Sequence, residues 1–293
     1  MNAKVKDTIN GMSKVVGTVF SGFSGTVASL FRILVLSSMK VAVTSRKNGD
    51  FKKHENCSIL ANGPSLKAAI ENNEVQLDSN DVFCVNSFCE SEYFWKIKPQ
   101  FYFVIDGTFF NPTIERTKKQ VASIVEAFSK VDWDMCVVVP SYAPQGGIFA
   151  GLNNPHIKTI RFNSTSVSGY DWFCNMVYKQ GLGMPTCINV VIFAISSALF
   201  MGYKNIYMYG IDHTFSAQLF VNENNVVCSS ERHVYSTEPR IFKLPQTTMA
   251  RILGAQSLCF SIHEKLERMS KKLGCKIYNC TKGSFVDAYE RLK

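Results

Sequence analysis

The 293-residue sequence has no C-x-x-C pair among its ten cysteines, no six-position glycine fingerprint of the dinucleotide folds, no P-loop, no internal repeat and no low-complexity tract. Cysteines 57, 84, 89, 136, 174, 187, 228, 259, 275 and 280 lie mostly in apolar runs. The five histidines (His54, His156, His213, His233 and His263) do not cluster with them along the chain, so zinc ligation is not expected. The cysteines read instead as small buried residues in a reducing compartment. Asp132-Trp133-Asp134 has the spacing of an Asp-x-Asp metal motif, yet it precedes its strand and belongs at the end of a parallel sheet away from ligands. Without a carboxylate cluster near the strand ends, neither a metal nor another cofactor is expected. No cleavable leader is expected either: the first residues alternate Lys with polar groups, and no clear small-residue cleavage site follows the apolar part, which favours the cytoplasm. Basic residues are scattered and not interleaved with aromatics, so nucleic acid is not an expected partner.

What is present is a globular composition, 46% hydrophobic, with an excess of 32 basic over 23 acidic residues and a net charge of +9. That excess suits an anionic partner: a phosphate-bearing substrate, an acidic glycan or an anionic membrane face. Residues 1–45 stand apart as a basic amphipathic arm. Val16, Val19, Phe20, Phe23, Val27, Leu30, Phe31 and Leu34 recur at helical spacing, Gly, Ser and Thr fill the other face, and Lys4, Lys6, Lys14, Arg32, Lys40, Arg46 and Lys47 supply charge. Arg32 interrupts the longest apolar stretch, which favours a helix in the membrane interface over one that spans. Packing on the rest of the protein or on a partner is the equal alternative. Residues 46–56 read as a polar linker.

From residue 57 strands alternate with helices, which predicts an α/β, Rossmann-like, mostly parallel sheet with helices on both faces. Strands are expected near 57–61, 81–86, 101–105, 135–140, 157–162, 205–210 and 276–280. Helices are expected over 64–73, 114–130, 168–180, 187–201 and 247–273. The segment at about 213–246 has no clear period and reads as an irregular lid within a domain of residues 57–293.

The organising stretch is Cys57-Ser-Ile-Leu-Ala-Asn62-Gly63-Pro64-Ser65, a strand that breaks into a turn and restarts as a helix, with Asn62 or Ser65 as cap. Such a turn aims backbone N–H groups at a phosphate. Other strands end in Asn86-Ser87, Asp106-Gly107-Thr108 and Gly210-Ile211-Asp212-His213, and ligands of open α/β sheets bind at those ends. A second glycine turn, Gly181 to Thr186, feeds the apolar helix that follows. His213 beside Asp212, and His233 in the lid, are the histidines with a pKa and a position suited to a general base.

Ile59-Leu-Ala-Asn-Gly-Pro-Ser-Leu-Lys67, Phe83-Cys-Val-Asn-Ser-Phe88 and Ala198 to Asp212 resemble, in order and spacing, the bacterial sialyltransferases of glycosyltransferase family 42. They also resemble the wider set that includes the Maf flagellin glycosyltransferases and the archaeal 6-hydroxymethylpterin diphosphokinase. The resemblance covers about residues 57–285. It implies metal-independent transfer of a sialic acid-like sugar from a CMP-activated donor to a surface glycan or glycolipid, such as O-antigen or capsule, at the inner face of a membrane. By the same resemblance Asn62, Gly63 and Ser65 line the phosphate turn, Asn86 contacts the nucleotide, and Asp212 helps bind cytidine. Thr186 matches a hydroxyl-bearing turn, His233 the base that deprotonates the acceptor, and Tyr235 a phosphate donor. Asp106 stands where the family has Asn, Met184 where it has Arg, and His213 or Phe215 where it has Tyr. The alternatives are a Mg²⁺-dependent pterin-diphosphokinase-like phosphotransferase and a non-catalytic nucleotide-binding scaffold of glycan assembly.

Overall fold

The structure, a computed structural model, describes residues 3–47, 51–144, 149, 152–231 and 240–292. In chain order its elements are α1 (Ala3–Leu36), α2 (Met39–Lys47), β1 (Asn56–Leu60), α3 (Ser65–Glu71), β2 (Asp81–Val85), α4 (Glu92–Ile97), β3 (Phe101–Phe103), α5 (Gly107–Phe110) and α6 (Glu115–Ser129). There follow β4 (Met135–Pro140), β5 (Ile157–Phe162), α7 (Asp171–Lys179), α8 (Val190–Phe200), β6 (Asn205–Tyr209), β7 (Leu219–Val221), β8 (Val227–Glu231), β9 (Arg240–Lys243), α9 (Met249–Lys272), β10 (Lys276–Asn279) and β11 (Glu290–Arg291).

Eight strands form one sheet in the order β11-β10-β6-β1-β2-β3-β4-β5, and every neighbouring pair is parallel. Such a sheet is buried on both faces, which is why the strands read as nearly continuous apolar runs. The pleat sends Ile59, Phe83 and Phe103 to a layer built with α7, α8 and α9. Leu60, Cys84 and Tyr102 point to the opposite layer, with α3, α4 and α6. The architecture is therefore α/β and Rossmann-like, as the alternating pattern predicts. All ten cysteines are free, eight of them buried.

The chain steps outward from β1 to β5 and then returns to lay β6 on the other side of β1. Connections leaving β1 and β6 diverge to opposite faces, and that divergence opens a crevice at their carboxyl ends.

Two expectations need correction. The segment after 212 is not irregular: β7, β8 and β9 form a three-stranded antiparallel sheet. Asn222 nucleates its first turn by accepting from the Asn224 and Val226 N–H groups, with Asn225 in the left-handed region. β8 (Val-Cys-Ser-Ser-Glu) and β9 (Arg-Ile-Phe-Lys) show neither the continuous apolar run of a strand buried on both faces nor a period of two, and β7 has three residues, so their pairing is not legible in the sequence. Second, α3 is capped by neither Asn62 nor Ser65; Pro64 starts it, and no side chain caps it. The expected linker at 46–56 overlaps the end of α2, and residues 48–50 of it lie outside the described residues.

Candidate functional site

At the β1/β6 switch point lies a cleft of about 640 Å³. Nucleotide-sized ligands occupy cavities of roughly this scale, about 300–1,000 Å³. Asn62, Gly63, Asn86, Asp106, Asp212 and His213, from four different strand ends, all line it. Ser65 stands behind the wall, Thr186 is not among the lining residues, and His233 and Tyr235 lie outside the described residues.

The β1 turn is tied to the β6 end. The Gly63 N–H donates to the Gly210 carbonyl at 2.9 Å, and Ser65 Oγ donates to Asp212 Oδ2 at 2.8 Å. Gly63 has to be glycine, since a Cβ there would meet Asp212 Oδ2 at 1.9 Å and the Gly210 oxygen at 2.4 Å. These bonds occupy donors that the sequence reading assigned to a phosphate. Burial raises the Asp212 carboxyl above its ordinary range, and the hydroxyl and backbone of Ser65 oppose that shift.

Acceptors, by contrast, are left over. Asn62 Nδ2 donates to the Val85 carbonyl at 3.2 Å, while Asn62 Oδ1 is buried with no partner among the described residues. Asn86 Oδ1 is in the same position. Asn86 is also held at φ +47, a conformation that costs energy for a non-glycine residue, and its carbonyl accepts from the Tyr102 hydroxyl. Two buried carboxamide oxygens in one cleft call for N–H or O–H donors on a ligand. Asp106 spends Oδ1 on the backbone N–H and hydroxyl of Thr108, both at 2.8 Å, and so caps α5.

A residue that the sequence reading missed supplies positive charge. Arg116 lines the cleft from the first turn of α6, and its guanidinium lies 4.9 Å from the ring centroid of Phe242 in β9. Thr117 and Gln120 follow it along the same wall. A cation at a helix N-terminus opposes the macrodipole, and an anion bound there relieves both. That misplaced charge is the signal that the sequence does carry.

His213 belongs to a buried network. The Ile192 N–H donates to Asn189 Oδ1 at 2.9 Å, which turns Asn189 Nδ2 toward His213 Nε2 at 3.4 Å and Cys259 Sγ at 3.2 Å. An amide nitrogen only donates, so His213 Nε2 accepts. His263 Nε2, 3.2 Å away, then donates to it, and His263 Nδ1 accepts from the Tyr289 hydroxyl at 2.9 Å. This assignment follows from the network and puts the His213 proton on Nδ1. Burial lowers the His213 pKa to about 4; burial, followed by repulsion from His213, lowers that of His263 to about 3. Both rings are therefore neutral near pH 7.

The His213, His263 and Cys259 ligand atoms lie within 4.8 Å of one another, so histidine and cysteine do cluster in space, although not along the chain. They are zinc-type ligands. The Asn189 amide hydrogens point between His213 and Cys259, however, and the histidine lone pairs are engaged, which makes this a closed hydrogen-bond network. Asp132 and Asp134 sit at the amino end of β4, away from the cleft, paired with Lys98 at 2.9 Å and His156 at 3.3 Å.

No family model matches the chain, and no curated protein matches it. Among solved structures, one similar to it is the MAf glycosyltransferase from Magnetospirillum magneticum AMB-1, with a TM-score of 0.49 and 13% identity over 83% of this chain. The match covers 34% of that protein, so this chain spans about a third of its length.

Proposed function

We propose that this protein is a metal-independent glycosyltransferase that moves a sialic acid-like sugar from a CMP-activated donor to a glycan or glycolipid acceptor. The observation that carries the reading is a pair of buried acceptors, Asn62 Oδ1 and Asn86 Oδ1, that have no partner among the described residues and lie in the switch-point cleft. A cytosine amino group and ribose hydroxyls are donors that match them, and Asp212 adds a third acceptor. Arg116 and the α6 N-terminus suit the single phosphate.

In the reaction the acceptor hydroxyl attacks the anomeric carbon of the sugar. The bond from that carbon to the phosphate oxygen breaks, and CMP leaves with the electron pair. Arg116 opposes the charge that develops on the phosphate. The hydroxyl proton passes to His233, the lid base that the sequence motif supports. His213 carries its proton on Nδ1 and has Nε2 engaged, so its part is to hold the Asp212 loop and donate, with His233 as the base.

The carboxylates of the cleft favour this reading over a Mg²⁺-dependent phosphotransferase. Asp106 and Asp212 each have an oxygen committed to protein donors, which leaves a weaker donor set than a magnesium site requires. Calorimetric titration with CMP, CDP, UDP and ATP, first in EDTA and then with Mg²⁺, tests the proposal. Metal-independent preference for CMP is expected; preference for ATP with Mg²⁺, or no binding, sinks it.

A further inference from the structure

The helix α1 is docked on the protein by the face that a soluble helix ordinarily exposes. Its small residues touch the body: Gly22 lies against the Tyr170 ring, and Gly25 against the backbone of Ser168 and Gly169. Ser29 is fully buried, donates to the Ser168 carbonyl and accepts its N–H, both at 2.8 Å. Thr26 Oγ1 accepts the Tyr170 N–H at 3.1 Å, and the Tyr170 hydroxyl donates to the Val19 carbonyl at 3.0 Å. Ile33 completes this face by packing on the core, and Ser37, one residue past the helix, donates to the Leu182 carbonyl.

The adjoining face has no cover among the described residues. Phe20, Phe23, Val27, Leu30, Phe31 and Leu34 are all exposed, with Phe20 at 72%, Phe31 at 69% and Leu34 at 82%. Val19–Leu36 has a mean hydropathy of 1.7, enough to enter a membrane by composition, and only 6% of it is buried. A contiguous apolar stripe of this size is unusual on a monomer surface. Arg32 and Lys40 are exposed beside it, and Trp172, two residues beyond the Tyr170 that grips α1, is 67% exposed.

We infer that the uncovered apolar face of α1 seats the protein on an anionic phospholipid surface, with the helix lying in the plane of the interface. The orientation follows from the docking. Body residues flank α1 from Val19 to Ile33, so lipid cannot surround the helix as it does a spanning one. Charge selects the occupant. The first 47 residues hold seven basic residues and one acidic residue, on a chain of net charge +9. A second copy would bring like charges together, whereas anionic headgroups complement them. The docking loop leaves β5 at the carboxyl edge of the sheet, the same edge that opens into the cleft. The inference stands on α1 alone and does not depend on what the cleft binds.

Flotation of the full chain with vesicles tests it, comparing phosphatidylcholine alone with phosphatidylcholine plus phosphatidylglycerol at low and high salt. The protein is expected to float with the anionic vesicles, less so in high salt, and with a blue-shifted tryptophan emission. Phe23→Ser, Phe31→Ser and Leu34→Ser combined should reduce the bound fraction at least tenfold with an unchanged melting temperature, because these side chains touch water in the folded protein. If the triple variant misfolds, Phe31→Asp alone carries the same expectation. Absence of flotation at low salt, or equal flotation of wild type and folded variant, overturns the inference. So does a lipid-independent dimer that the variant dissociates, since a second copy would then occupy the face.

Discussion

The Nε2 atoms of His213 and His263 lie 3.2 Å apart in the interior, one accepting and the other donating, 50 residues distant in the chain. The contact ties the loop after β6 to α9 and gives His213, at φ +49, a fixed tautomer facing the cleft. Cys259, with its thiol pKa raised to about 11, and Tyr289, raised well above its ordinary value, are the other titratable groups against the pair, and both stay neutral below pH 8. Asp212 is the adjoining carboxyl.

Stability should therefore fall with acid in a defined window. The folded-state pKa values of about 4 and about 3 lie below the unfolded value of about 6.5, so the unfolded chain binds more protons below that pH. The contribution is whole above about pH 7 and is lost progressively as pH falls from about 6.5 toward about 3. Melting temperatures measured across this range should drop steeply for the wild type, and less steeply for His263→Gln.

Gly63→Ala should destabilise the fold by at least about 2 kcal/mol, because its Cβ would collide with the Gly210 carbonyl as well as with Asp212. Urea unfolding reads this directly. A melt equal to wild type would mean that the turn and the β6 end are not in contact.

Asn62→Ala and Asn86→Gly should weaken CMP binding by roughly tenfold to a hundredfold, as expected for one lost hydrogen bond to a buried group, about 1–3 kcal/mol. Asn86→Gly also releases backbone strain, so its stability should be unchanged or higher while affinity falls. Calorimetry paired with thermal melts separates the two effects.

Arg116→Ala should cost CMP about tenfold in affinity and leave cytidine binding unchanged, because the proposed binding mode sets the guanidinium against the phosphate alone. The salt dependence of CMP binding should flatten in the same variant. An equal loss for nucleoside and nucleotide would assign Arg116 to packing against Phe242.

His233→Ala should abolish transfer, by on the order of a hundredfold to ten-thousandfold, while CMP still binds. Single-turnover assays at several pH values distinguish a lost base from a lost lid contact. His213→Asn is expected to act mainly through stability.

By itself the sequence determined the α/β alternation, seven strands of the parallel sheet, which read as apolar runs because both their faces are buried, and the turn residues that gather at strand ends. Each of these rests on local periodicity or backbone preference, which a one-dimensional reading can see. Asn62, Gly63, Asn86, Asp106 and Asp212 could be picked out because strand ends in an open parallel sheet converge. Tertiary structure decided where free hydrogen-bonding capacity lies. It spent the Gly63 N–H and the Ser65 hydroxyl on the β6 end, left two carboxamide oxygens unpaired, brought Arg116 to the wall and set Thr186 elsewhere. It also joined His213 to His263 across 50 residues and chose which face of α1 is covered. Periodicity marks an apolar stripe and a small-residue stripe on that helix. Only close packing of Gly25 against Gly169 reveals that the body took the small stripe and left the apolar one outside.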